Sequence, residues 1–182
     1  MSNEAVLSRQ EMIERGIETL HSDKYHFFWN GPFSQWHPST FMYQFVVFNC
    51  AEQAMMAHKA ITFNSMDVYH KIMAASHPSQ QKKLGRIVQN FDEAIWNRTK
   101  RRLVFEINMA KFTQNTELKQ HLFATKGKRI VEASPLDPIW GVGLCETDPL
   151  ILDEKNWKGQ NLLGETLTLV RDVLMFTNPE GY

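Results

Sequence analysis

Glu52 and Lys59 are the only residues carrying a formal charge in the stretch Cys50-Ala-Glu-Gln-Ala-Met-Met-Ala-His-Lys-Ala-Ile-Thr-Phe63. The stretch has the composition of a helix. At about 100° per residue, Glu52, Met56, Lys59 and Phe63 fall on one narrow stripe with Met55 beside it. A surface helix puts its charges opposite its Met and Phe side chains, so a carboxylate and an amine among them point to a pocket wall. A carboxylate there can stabilise a developing cation, and an amine there can order a substrate or, deprotonated, attack it. Each residue also has a plainer reading. Asn49-x-x-Glu52 has the spacing of a capping box, and a lysine among apolar side chains commonly covers them with its methylene stem.

Three further groups carry chemistry. In Asp137-Pro-Ile-Trp140-Gly141-Val-Gly143 a carboxylate precedes a stiffening proline, Trp140 can stack on a flat ring, and the glycines allow backbone to approach a ligand. The alternative is an Asp-Pro turn with a core tryptophan. Gly159-Gln-Asn161-Leu-Leu163-Gly164 begins the last helical pattern, where free amides and the helix dipole can hold phosphate, or where Asn161 is simply a cap. Phe33-Ser34-Gln35-Trp36 offers aromatic walls and a hydroxyl, and Arg86, after Gly85, can pair with phosphate through two parallel hydrogen bonds.

The elements that must position these groups follow from periodicity and punctuation. An amphipathic helix is expected from Asn3 to about Leu20, and strands at Tyr25 to Trp29 and Tyr43 to Phe48. Asn49 is expected to cap the Cys50 to Thr62 helix, with further helices from Ser65 through Met73 and from Pro78. A long helix runs from Asp92 to about Phe112. Its Ile95, Trp96, Leu103, Ile107 and Phe112 face the core and Arg98, Lys100, Arg101 and Arg102 the other side. A helix near Glu117 to Phe123, a strand at Arg129 to Ala133, a loop at Ser134 to Leu144 and a helix from Asn161 to Phe176 complete the chain. The fold class expected is α+β, a predominantly helical single domain around a small β-sheet. Residues 1–22 form a helical extension and residues 23–178 the domain.

Composition excludes several classes. Twenty basic residues balance twenty acidic ones, so no net field draws in long nucleic acid or an anionic membrane. Two cysteines outside any C-x-x-C pair predict a reducing, cytoplasmic setting. Charges at Glu4, Arg9, Glu11, Glu14 and Arg15 interrupt any leader-like apolar core, and no run of about eighteen apolar residues exists to span a membrane. The seven histidines form no H-E-x-x-H pattern, so no metal and no cofactor are expected.

The chain resembles the NADAR-type, YbiA-like family from about Tyr25 to Phe176. The motifs run in order: Phe33-Ser34, Glu52-x6-Lys59, Gly85-Arg86, Ala110-Lys111-Phe112, Val131-Glu132-Ala133, Asp137-x-x-Trp140-Gly141-x-Gly143, Asn161-x-Leu163-Gly164 and Val170-Arg171. Two departures are Gln35, where the family often has Asn, and Ala51, where it often has Ser or Thr. The resemblance implies an N-glycosidase that cuts a ribosyl–nitrogen bond, most specifically by removing ADP-ribose from guanine, free or within nucleic acid. The alternatives it implies are cleavage of damaged riboflavin-pathway intermediates, or a non-catalytic module that binds NAD or ADP-ribose. It makes Glu52, Lys59 and Asp137 the catalytic candidates, with Lys59 favoured as nucleophile. Trp29, Phe33, Ser34, Arg86, Lys111, Trp140, Gly141, Gly143, Asn161, Leu163 and Gly164 are the substrate-binding candidates.

Overall fold

The computed structural model describes residues 23–177, so the expected helix from Asn3 to Leu20 lies outside the described residues. Strand β1 (Tyr25–Phe28) pairs in parallel with β4 (Arg129–Glu132), Tyr25 opposite Arg129 and Phe28 opposite Glu132. Side chains alternate across this pair. Phe28 and Ile130 enter the main core, while Tyr25, Phe27 and Val131 enter a smaller one with Val142 and Ile151. Both faces of β1 and β4 are thereby covered, as parallel strands require.

The expected strand from Tyr43 to Phe48 is instead a hairpin of β2 (Phe41–Tyr43) and β3 (Val46–Phe48). Gln44 and Phe45 make the turn with φ of 48° and 65°. A two-residue turn with both φ positive matches the twist of its strands, but normally advertises itself through Asn or Gly. Neither residue is present here, so the apolar run read as one strand.

Helices α1 (Ala51–Thr62), α2 (Met66–Ala74), α3 (Pro78–Gly85), α4 (Glu93–Gln114), α5 (Thr116–Phe123) and α6 (Leu162–Thr177) build the rest. Pro78 occupies the first turn of α3, and the Asp92 carboxylate caps α4 through Ile95 N. Two expectations for α4 are corrected. Ile95 is largely exposed and Lys100 is buried, its Nζ donating to Asn97 Oδ1 at 2.7 Å, which lets an ammonium lie against the core. Trp96, Ile107 and Phe112 are buried as the periodicity requires, each contributing on the order of 2 kcal/mol.

Helix α6 lies close against β4, and glycine permits this. A Cβ on Gly164 would sit 2.2 Å from Ile130 O, a backbone atom that cannot swing aside. Overpacking of this kind costs roughly 1–3 kcal/mol or more. Gly164→Ala is expected to lower the melting temperature by roughly 3–10 °C, measured by calorimetry against the parent chain. An unchanged melting temperature would mean the helix can shift off the strand freely.

Candidate active site

Glu52 lies in the first turn of α1 and is 5% exposed. It is not part of a capping box. The cap is Cys50, whose Sγ accepts from Gln53 N, and Asn49 N donates to Gln53 Oε1. The amide of Glu52 donates to Gln35 O at 2.9 Å, tying α1 to the preceding turn. That turn is held by Ser34 N donating to Gly31 O, by Trp36 N donating to Ser34 Oγ, and by Lys111 from below. It presents the Trp36 indole toward the Glu52 carboxylate. Burial pushes Glu52 up to about 7. Asp137 pushes the same way, while Lys82, the Trp36 indole and Arg86 pull it down.

Asp137 sits across from this carboxylate. Its Oδ1 accepts from Ile139 N at 3.0 Å and Trp140 N at 2.9 Å, while Oδ2 lies 3.9 Å from Lys82 Nζ. Glu132 ends β4 and completes the group. Its amide donates to Asn161 Oδ1, its carbonyl accepts from Val142 N, and its buried Oε2 has no hydrogen-bond partner among the described residues. Burial pushes the Glu132 carboxyl up to about 8, with Asp137 and Glu52 adding and Lys82 opposing. Lys82 pairs with Asp137 and lowers the pKa of both Glu52 and Glu132, and it lies 5.9 Å from the Trp36 ring centre. Among the described residues no three His, Cys, Asp or Glu side chains converge in a way that would hold a metal ion.

Lys59 occupies the far end of the same stripe. Its Nζ donates to Gly85 O at 2.8 Å and lies 4.3 Å from the Phe91 ring centre and 5.7 Å from that of Trp96. Burial lowers its pKa and the charge of Glu52 raises it. Gly85 leaves room for Met56 in this contact between helices, since a Cβ there would meet Met56 Sδ at 2.0 Å and that side chain would have to move. The stripe of Glu52, Met56, Lys59 and Phe63 thus faces inward as its spacing implies, toward α3 and the segment that follows it.

The remaining candidates divide by place. Arg86 is exposed and its charge reaches Glu52, and Trp140 is half-buried against the main core beside Asp137. Trp29 is 47% exposed, just beyond the end of β1. Phe33 is buried, 4.9 Å from the His26 ring and 5.5 Å from that of Phe28, so it is core rather than an open wall. The Ser34 oxygens are taken up by its own turn. Lys111 is fully buried and donates to Pro32 O at 2.8 Å and Ser34 O at 3.0 Å. Burial brings it down to about 7, and it serves the site by fixing the turn that carries Trp36.

Asn161 likewise acts on backbone. Fully buried at φ 53°, it accepts from Glu132 N and donates to Ile130 O, stapling β4 to the start of α6. The amides of Asn161, Leu162 and Leu163 donate to the carbonyls of Gly141, Ile139 and Trp140 rather than standing free for phosphate. Leu163 is core, and Gly164 and Gly141 are spacers, a Cβ on Gly141 meeting Glu132 O at 2.9 Å. Gly143 has φ 71° and shapes the loop. What sequence reading left without a role is Glu132 and Lys82, while Trp36 entered it only as an aromatic wall. Only Glu132 left a signal, as a lone acid between Val131 and Ala133.

A cavity of about 280 Å³ lined by Arg101, Arg102, Phe105 and Leu169 shares no residue with this group.

Comparison with known proteins agrees with the motif order. The NADAR domain model matches residues 26–175. N-glycosidase R617 of Acanthamoeba polyphaga mimivirus is 42% identical over 166 residues, covering 84% of this chain and 98% of that protein. The chloroplastic riboflavin biosynthesis protein PYRR of Zea mays is 29% identical over 135 residues, which cover 70% of this chain and 20% of that protein. The NMR structure of the E. coli protein YbiA superposes with a TM-score of 0.72 at 24% identity, covering 87% of this chain and 89% of that one, which establishes a shared fold.

Proposed function

Because the chain belongs to the NADAR domain family and is an N-glycosidase, we propose that it removes ADP-ribose from guanine by hydrolysing the ribosyl–nitrogen bond. The observation that carries the reading is Glu52, a buried carboxyl held between Lys82, Arg86 and the Trp36 indole. Cleavage of such a bond leaves positive charge on the anomeric carbon, and a desolvated carboxylate stabilises that charge far better than water does. Lys82 and Arg86, one turn apart on and just beyond α3, suit a compact pyrophosphate. Trp140 and Trp36 suit a flanking ring.

In the proposed sequence Lys59 attacks the anomeric carbon as the neutral amine, whose formation burial favours. The C–N bond to the base breaks, and its electron pair goes to the base nitrogen, which takes up a proton. The ribosyl amine formed on Lys59 opens to an imine. Water then adds and releases the sugar and the free amine. Asp137, fixed by two backbone amides and Lys82, orders the Trp140 turn beside the reacting sugar.

The likeness to a riboflavin-named relative favours a second substrate, a ribosyl monophosphate intermediate. The two are separated by kcat/KM on one preparation, which measures differential transition-state binding. A higher value for ADP-ribosylated guanine is expected from the Lys82–Arg86 pair. Equal values, or preference for the smaller substrate, would remove the ADP-ribose assignment and leave the N-glycosidase reading standing.

A further inference from the structure

Resting on the N-glycosidase reading above, we infer that Glu132 is the acid that gives the departing base its proton. A base leaving with the bonding pair needs a proton on its nitrogen, and neither Lys59 nor Asp137 is suited to supply one. Lys59 must shed its own proton to attack, and Asp137 lies beside a cation while accepting two amide hydrogens, so its carboxylate is held by donors. Glu132 is arranged in the opposite way. Among the described residues no amide or hydroxyl donates to its side chain, and its buried Oε2 has no partner there. Its backbone, by contrast, is fixed on both sides, the amide by Asn161 and the carbonyl by Val142 N, so the side chain leaves the end of β4 in a set direction.

The groups that face it are Glu52 from α1, Asp137 from the following loop and Lys82 from α3. Burial keeps the proton on Glu132, and two negative neighbours against one positive add to this, holding it up to about 8. The three carboxyl groups thus divide the labour through their surroundings, since groups whose environments set them apart take opposite roles. Asp137 is held by two backbone amides and Lys82, Glu52 faces the cationic carbon and Glu132 carries the proton. When that proton passes to the base, Glu132 becomes a carboxylate. The proton shed by the attacking amine as the ribosyl amine forms returns to Glu132, and water then hydrolyses the imine, so the cycle closes without another reactant.

The test compares two leaving groups on wild type and Glu132→Gln. One substrate is ADP-ribosylated guanine. The other is para-nitrophenyl ADP-ribose, whose phenolate leaves without needing a proton. General acid catalysis is worth about 10²–10⁴ in rate, so Glu132→Gln should lose on that order in kcat/KM for the guanine substrate and only a few-fold for the nitrophenyl one. In wild type, activity on the guanine substrate should fall as pH rises through about 8, with no such limb for the nitrophenyl substrate. That profile needs no variant. Equal losses on both substrates, or the same alkaline limb for both, would overturn the role of Glu132. A wild type that cleaves neither would instead overturn the N-glycosidase reading, and the inference with it.

Discussion

Replacing Glu52 by Gln is expected to leave a folded chain that still binds ribosylated ligand but turns it over on the order of a hundredfold or more slowly. The substitution keeps shape and removes only charge. Because the helix cap belongs to Cys50 and the Glu52 bond to Gln35 is made by backbone, the start of α1 survives intact. Stability moves the other way. A carboxyl raised to about 7 by burial favours its protonated form in the folded chain, so its contribution is fully present below its unfolded pKa and lost as pH rises toward 7. Glu52→Gln should therefore match the parent in acid and exceed it above neutrality, in denaturation curves at two pH values. Unchanged turnover would reduce Glu52 to a buried carboxyl that merely packs.

The second large effect is at Lys59. Borohydride added during turnover should reduce an imine and leave a ribosyl adduct on this residue, and Lys59→Met should abolish both the adduct and covalent turnover. Methionine fills the site between Phe91 and Trp96, so the effect is not one of packing. Since burial lowers the Lys59 pKa, the rising limb of turnover should lie below the ordinary lysine range. Peptide mapping reads the adduct's position. An adduct on Lys82 would move the nucleophile to the amine among the carboxylates, and one on Lys111 would contradict its role as a holder of carbonyls. No adduct in an active preparation would replace covalent attack by direct attack of water.

What was legible in the sequence was whatever depends on near neighbours. Pro78 and Asp92 mark two helix starts, and the seven-residue spacing puts Glu52 and Lys59 on one stripe, of which Glu52 is buried and Lys59 half-buried. The hairpin was missed because Gln44 and Phe45 hold positive φ without the residues that normally signal it. The cap was misplaced because cysteine is a weak acceptor that rarely serves there. The meeting of Trp36, Lys82 and Glu132 around Glu52 was illegible for a different reason. They come from a turn, a helix and a strand end joined only by long-range contacts, and nothing local in Gln81-Lys82-Lys83 separates the inward lysine from its neighbour. From sequence Asn161 is either a phosphate-holding helix start or a plain cap, whereas its side chain spans from α6 to β4, a role that appears only once the two are packed.

The central claim is that the chain cuts the bond between ribose and guanine. The most direct measurement is product analysis of ADP-ribosylated guanine incubated with the purified chain, counting free base and free ADP-ribose together. Equal amounts of the two, formed with turnover and lost in Glu52→Gln, are the result expected. Bound but intact substrate would contradict the account, because it would make the same carboxylates and tryptophans a reader of ADP-ribose rather than an enzyme acting on it.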